Sequence, residues 1–166
     1  RRDIDLVREI APHLDAEAET RRIAEREAHD FTGLSAMPGA ARLLGALPPS
    51  AWAVVTSGTR AVALGRLAAA GLPAPAFLVA ADDIRAGKPH PEGYLTAAAR
   101  LGISPSECVV VEDAPAGVHA ACAAGMACVG VGDGLADVAH LLFTCLDGLH
   151  RIQAEPGTDS LLVLAG

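Results

Sequence analysis

The chain has 166 residues, 51% of them hydrophobic, and a formal net charge of -7. That is enough apolar material for one domain with a single core, and it excludes a disordered chain. Lys and Arg are scattered with no basic run, which argues against a nucleic-acid surface. No apolar stretch approaches the ~20 residues of a membrane span, so the expectation is a cytoplasmic protein whose partner is a small anionic metabolite.

In chain order, residues 1–36 are charged and helical in pattern and contain no strand. They end at Met37-Pro38-Gly39, a turn, and read as part of a separate helical unit. Short apolar runs then alternate with helical stretches. Helices are expected near Gly39 to Leu47, Thr59 to Ala70, Pro91 to Leu101 and Pro115 to Ala124. Strands are expected at Trp52 to Thr56, Phe77 to Ala80, Cys108 to Glu112, Cys128 to Val131 and His140 to Thr144. The alternation predicts an α/β fold over 37–148, a doubly wound, Rossmann-like parallel sheet with helices on both faces. Gly71, Gly102 and Gly125 stand where helices stop. Beyond, Leu149 to Glu155 and Ser160 to Leu164 flank Pro156-Gly157-Thr158-Asp159, which predicts a terminal hairpin over 149–166. Cys108, Cys122, Cys128 and Cys145 show no metal or redox spacing and read as reduced core thiols.

In open α/β sheets chemistry gathers beyond the carboxyl ends of the strands. Three predicted strand ends or following loops carry groups suited to phosphate and metal. In WAVVTSGTR, Thr56, Ser57 and the Gly58 amide could hydrogen-bond phosphoryl oxygens at a helix start, although Thr and Ser also cap helices routinely. In RAGKPHPEGY, Lys88 sits in a loop bounded by Gly and Pro, where a fixed ammonium could neutralise a phosphoryl transition state. In VVVEDAPAGVHAACAAGM, Glu112 and Asp113 are adjacent acids at the end of a buried strand. Capping by Asp113 would explain one of them but not both. A hard cation such as Mg²⁺, held by one or two carboxylates plus water and phosphate oxygens, relieves their repulsion.

The ordered set VVTSGT, GKPHPEGY and VVVEDAPAGVHAACAAGM resembles motifs two, three and four of the haloacid dehalogenase superfamily, over roughly residues 37–131. More narrowly it is similar to the helical-cap branch that includes β-phosphoglucomutase and phosphatases of small sugar and polyol phosphates. The resemblance implies that Thr56 or Ser57 binds the transferring phosphoryl group and that Lys88 balances its charge. It implies that Glu112 and Asp113 hold Mg²⁺, and that residues 3–30 belong to a cap closing over the site. The implied reaction is Mg²⁺-dependent phosphoryl transfer from a small phosphorylated metabolite, as a phosphatase or, alternatively, a phosphosugar mutase.

One motif is not found. The family's first strand ends in Asp-x-Asp followed by Gly-Thr, which supplies a nucleophile that becomes an aspartyl phosphate. Asp3-Ile4-Asp5 has the spacing but neither strand nor Gly-Thr, and reads as cap helix. In LLFTCLDGLH, Cys145 stands where the nucleophile would, with Asp147 after it, and the order along the chain is wrong. The resemblance therefore implies a first strand and nucleophile lying before Arg1. Loss of a central strand would expose about five apolar side chains at ~1.5–3 kcal/mol each, comparable with the whole stability of a domain. The sheet is thus expected to take a strand from upstream residues, from a second polypeptide, or from an exchanged segment such as Leu161 to Leu164, as in a strand-exchanged dimer. A catalytically silent protein that binds a phosphorylated ligand or partner is the competing reading. A receiver-type signalling domain would place its acids first and its Lys last, the reverse of the order here. Asp82 and Asp83 are expected to cap a turn, Asp133 to support one, and His90 to lie exposed in its loop.

Overall fold

A computed structural model describes residues 2–132, 135, 141–143 and 161–165. Two helices open it, α1 (Asp3–Ile10) and α2 (Ala16–Glu27), packed on each other. Asp15 caps α2 by accepting from the Ala18 amide at 3.0 Å, as a short acid before a helix does. Asp3 and Asp5 therefore lie on a helix, as expected, and Asp5 is paired with Arg2 at 2.9 Å. The connector that follows carries Phe31, whose ring lies against Gly65, and the end of α2 is tied to Arg66 by a Glu27–Arg66 ion pair of 3.1 Å.

From α3 (Ala40–Ala46) onward, strands and helices alternate: β1 (Trp52–Val55), α4 (Arg60–Ala69), β2 (Phe77–Val79), α5 (Glu92–Leu101), β3 (Cys108–Glu112), α6 (Pro115–Ala123) and β4 (Ala127–Val131). Two further strands are β5 (Leu141–Phe143) and β6 (Leu161–Ala165). All paired strands are parallel, in the order β2-β1-β6-β3-β4-β5. Every residue of β1 is buried, as are four of the five in β3. Near-continuous apolar runs of this kind belong to strands covered on both faces. The helices present small residues to the sheet: Gly93, Ala97 and Ala98 on α5, and Gly117, Val118, Ala120 and Ala121 on α6 are buried. Small side chains let these helices sit close over the strands. Gly71, Gly102 and Gly125 close α4, α5 and α6 with φ of 68°, 73° and 74°. Among the described residues, no helix is long and apolar enough to cross a membrane.

The terminal hairpin is not what the described tail forms. Leu161–Ala165 runs parallel between β1 and β3, pairing Trp52 with Leu162 and Val55 with Ala165 on one side, and Cys108 with Leu161 and Val111 with Leu164 on the other. The proposed partner stretch 149–155, together with Asp133, Cys145 and Asp147, lies outside the described residues. The sheet thus holds a strand between β1 and β3, and it comes from the chain's own carboxyl-terminal part. Pairing on both edges satisfies twice as many backbone groups as a hairpin would, and β1 and β3 each gain a neighbour.

Candidate active site

Three segments meet beyond the carboxyl ends of β1 and β3. At the first, the Thr56 amide donates to the Val79 carbonyl at 2.9 Å, and Thr56 Oγ1 accepts from the Gly58 amide at 3.1 Å. This local turn fixes the threonine hydroxyl while leaving its proton available to donate. Gly58, whose amide was expected to face phosphoryl oxygens, instead spends that amide on Thr56. Ser57 lies half-buried in the same turn. Thr59 takes the capping role, its Oγ1 accepting from the Val62 amide at 3.4 Å.

The second segment carries Lys88. Glu92 holds its loop by accepting from the Arg85 and Ala86 amides at 3.0 and 2.8 Å, and the Arg2 side chain packs against Gly87. The Lys88–Pro89 peptide is cis. Lys88 Nζ reaches inward to Glu112 Oε1 at 2.5 Å and to the Val55 carbonyl at 3.3 Å. His90 is exposed, its Nδ1 accepting from the Glu92 amide at 3.2 Å.

The third segment holds the two acids, whose surroundings differ sharply. Glu112 is 2% exposed, the one buried charged side chain among the described residues. Its Oε1 receives Lys88 and the Tyr94 hydroxyl, the latter at 2.7 Å; its Oε2 receives the Asp113 and Ala114 amides, each at 3.0 Å. Burial pushes the Glu112 carboxyl up, but the Lys88 charge and hydrogen bond, with those of Tyr94 and Ala114, outweigh it and hold it below the ordinary carboxylate range. The room for this carboxylate comes from Gly117: a Cβ there would overlap it.

Asp113 is exposed and does not cap α6, whose N-cap residue is Ala114 and which has no side-chain capping bond. Partial desolvation, then the neighbouring Glu112 carboxylate, push its carboxyl above the usual range, against the pull of its own amide and Lys88. The expected pair of metal ligands is thus divided in this arrangement. Both oxygens of Glu112 are occupied by four donors, with Lys88 as counter-ion, while Asp113 carries the charge that is not compensated. Among the described residues no cluster of three or more His, Cys, Asp or Glu could hold a metal alone. One carboxylate, its acidic neighbour and a hydroxyl nevertheless fit a hard cation that completes its shell with water and phosphate oxygens. Thr56, Glu112 and Asp113 line one cavity of about 310 Å³, with apolar walls from α3, α4, β1 and β3.

Thr56, Lys88, Glu112 and Asp113 are therefore brought together, from segments up to 57 positions apart. Asp82 and Asp83 stay in the turn after β2: Asp82 accepts from the Arg60 amide at 2.9 Å, and Asp83 accepts from the Ala80 amide at 2.9 Å and pairs with Arg60 at 2.7 Å. Two residues escaped the sequence reading. Tyr94 is the chain's only tyrosine, in the first turn of α5, and a polar tip on a buried face was the available signal. Gly117 lies inside a helix of small residues, where glycine has no propensity reason to be.

The haloacid dehalogenase-like hydrolase family model matches residues 3–125. Hexitol phosphatase A of Escherichia coli (strain K12) is 50% identical over 113 residues, covering 67% of this chain and 52% of that protein. Glycerol-1-phosphate phosphohydrolase 2 of Saccharomyces cerevisiae (strain ATCC 204508 / S288c) is 44% identical over 105 residues, 57% of this chain and 42% of the relative. The crystal structure of a hydrolase from Pseudomonas syringae superposes with a TM-score of 0.74 at 25% identity, covering 92% of this chain and 80% of that one. The chain spans about half the length of the curated relatives it matches.

Proposed function

The chain belongs to the haloacid dehalogenase-like hydrolases, and from that membership we propose that it serves Mg²⁺-dependent phosphoryl transfer, releasing phosphate from a small sugar or polyol phosphate. The observation that carries the reading is the meeting of Thr56, Lys88 and Asp113 around one strand-end site, with Glu112 holding Lys88 in place at 2.5 Å. Similarity to phosphatases of hexitol and glycerol phosphates supports the substrate class.

In this reading the Thr56 hydroxyl donates to a phosphoryl oxygen, oriented by its bond to the Gly58 amide. Ser57 stands beside it as the second candidate hydroxyl. Lys88 Nζ has three protons; Glu112 and Val55 take two, and the third faces the charge that accumulates on the phosphoryl group. Asp113, with Glu112 behind it, would hold Mg²⁺, which when bound neutralises phosphate charge and Asp113 itself. Asp3 and Asp5, which share the spacing of the family's nucleophile motif, lie on α1 and are given no nucleophilic role in this reading.

The test is phosphate release from hexitol, glycerol and hexose phosphates by the full-length protein, with and without Mg²⁺. Asp113→Ala is expected to abolish Mg²⁺-dependent release, and undiminished release by that variant would overturn the assignment.

A further inference from the structure

The mechanism above uses Lys88 but leaves unexplained what keeps so long a side chain aimed. Four torsions separate the Lys88 ammonium from its backbone, and Glu112 alone would let the pair swing together. Tyr94 touches both partners. Its hydroxyl donates to Glu112 Oε1 at 2.7 Å, the oxygen that also receives Lys88, and its ring lies 5.4 Å from Lys88 Nζ. Tyr94 is itself 1% exposed and is carried on the buried face of α5, beside Gly93 and Ala97. It is therefore a rigid strut between a core helix and a charged pair at the site.

We propose that Tyr94 is a positioning residue that fixes Lys88 for phosphoryl transfer, by pinning Glu112 through its hydroxyl and by offering its ring face to the ammonium. The hydroxyl shares Oε1 with Lys88, so the lysine cannot turn wholly into the carboxylate. The ring closes one side of the volume that Nζ could otherwise sample, and a cation over an aromatic face is attracted to it. Val55 closes another side through its carbonyl, at 3.3 Å. What remains open to the ammonium is the strand-end face where Thr56 and Asp113 lie.

The inference rests on the phosphoryl-transfer reading for its consequence, but not for its geometry. Two measurements separate the two. In the full-length protein, Tyr94→Phe keeps the ring and removes the hydroxyl. It is expected to lower kcat about ten-fold with KM little changed, as follows when a hydrogen bond to a charged group that acts in the transition state is lost. In a Lys88→Met background the same change is expected to have no further effect on kcat. A full additional loss in that background, or unaltered kcat in Tyr94→Phe alone, overturns the proposal.

The second measurement needs neither turnover nor a substitution at Tyr94 that folds poorly. The chain is labelled with 3-fluorotyrosine, and the fluorine resonance of Tyr94 is followed by NMR in the parent and in Lys88→Met. Trp52 emission checks that both proteins are folded; a resonance displaced in the folded variant supports the coupling, and an unchanged one overturns it. If no phosphate ester is hydrolysed yet the resonance responds, the phosphatase reading falls while the Tyr94–Lys88 coupling is supported.

Discussion

Gly117→Ala tests the packing of the site with a change of a single methyl group, and local and tertiary physics disagree about its sign. Gly117 lies inside α6 at a backbone conformation that alanine adopts freely. Helix propensity alone therefore predicts stabilisation of about 1 kcal/mol. The Glu112 carboxylate, however, occupies the space a Cβ needs, with backbone on its far side rather than solvent. To admit the methyl, the carboxylate must leave its four donors, and Lys88 loses its buried partner. Breaking a buried pair costs about 3–5 kcal/mol, so the net expectation is destabilisation of about 2–4 kcal/mol, out of roughly 5–15 kcal/mol for a whole domain. Urea unfolding followed by the fluorescence of Trp52, the only tryptophan, measures it. The same change in a Glu112→Ala background should be neutral or stabilising, since the obstacle is gone. A single variant as stable as its parent would refute the claim that Glu112 is held in a fixed cradle.

Lys88→Met should expose the dependence of Glu112 on its counter-ion through pH. In the parent the folded-state pKa of Glu112 lies below its unfolded value, so its stabilisation is present above the unfolded value and is lost as the pH falls through the folded one. Without the ammonium, burial dominates and reverses the order, so the variant should lose about 3–5 kcal/mol at neutral pH and recover as the glutamate takes up a proton. A deficit that denaturant titrations find constant with pH would count against the pairing. Deletion of Leu161–Gly166 should separate β1 from β3 and leave the β1 edge beside Trp52 unpaired, because Leu162 pairs with that residue. The expected result is red-shifted tryptophan emission with loss of cooperative unfolding, and a blue, cooperative spectrum would contradict the observed strand order.

Strands β1 to β4 and helices α3 to α6 were legible within a residue or two because each is written locally. Short apolar runs mark the strands, and α4, α5 and α6 stop at glycines with positive φ. Strand order is not written locally, and Leu161–Ala165 carried two expectations at once, a hairpin with 149–155 and a strand filling the sheet; the parallel pairing with β1 and β3 matches the second. Pro156-Gly157-Thr158-Asp159 is a strong turn signal and suggested an antiparallel partner nearby. Yet LLVLA is apolar at every position, without the alternation of a half-exposed hairpin strand, and that pattern suits a strand flanked and covered on both sides. The site was legible to the extent that its residues cluster in motifs. What sequence adjacency could not say is which acid faces inward. Glu112 ends a strand whose burial it shares, whereas Asp113, one residue on, has already left the sheet and its cover.

That division has an electrostatic consequence for what the site can accept. The ammonium of Lys88 and the carboxylate of Glu112 cancel as a buried pair, so together they add little net charge at the strand ends. Asp113 remains the exposed acid, its carboxyl raised by desolvation and by Glu112. A dianionic phosphate approaching this face alone would add to the repulsion, and a cation alone would find only one exposed carboxylate. On the proposed reading a cation would lower the cost of charging Asp113 and of seating the phosphate, and phosphate oxygens would complete a shell that the protein leaves open. In the same reading metal and phosphoryl group would bind in a coupled way, and the pairing of Glu112 with Lys88 is the feature that would make the difference.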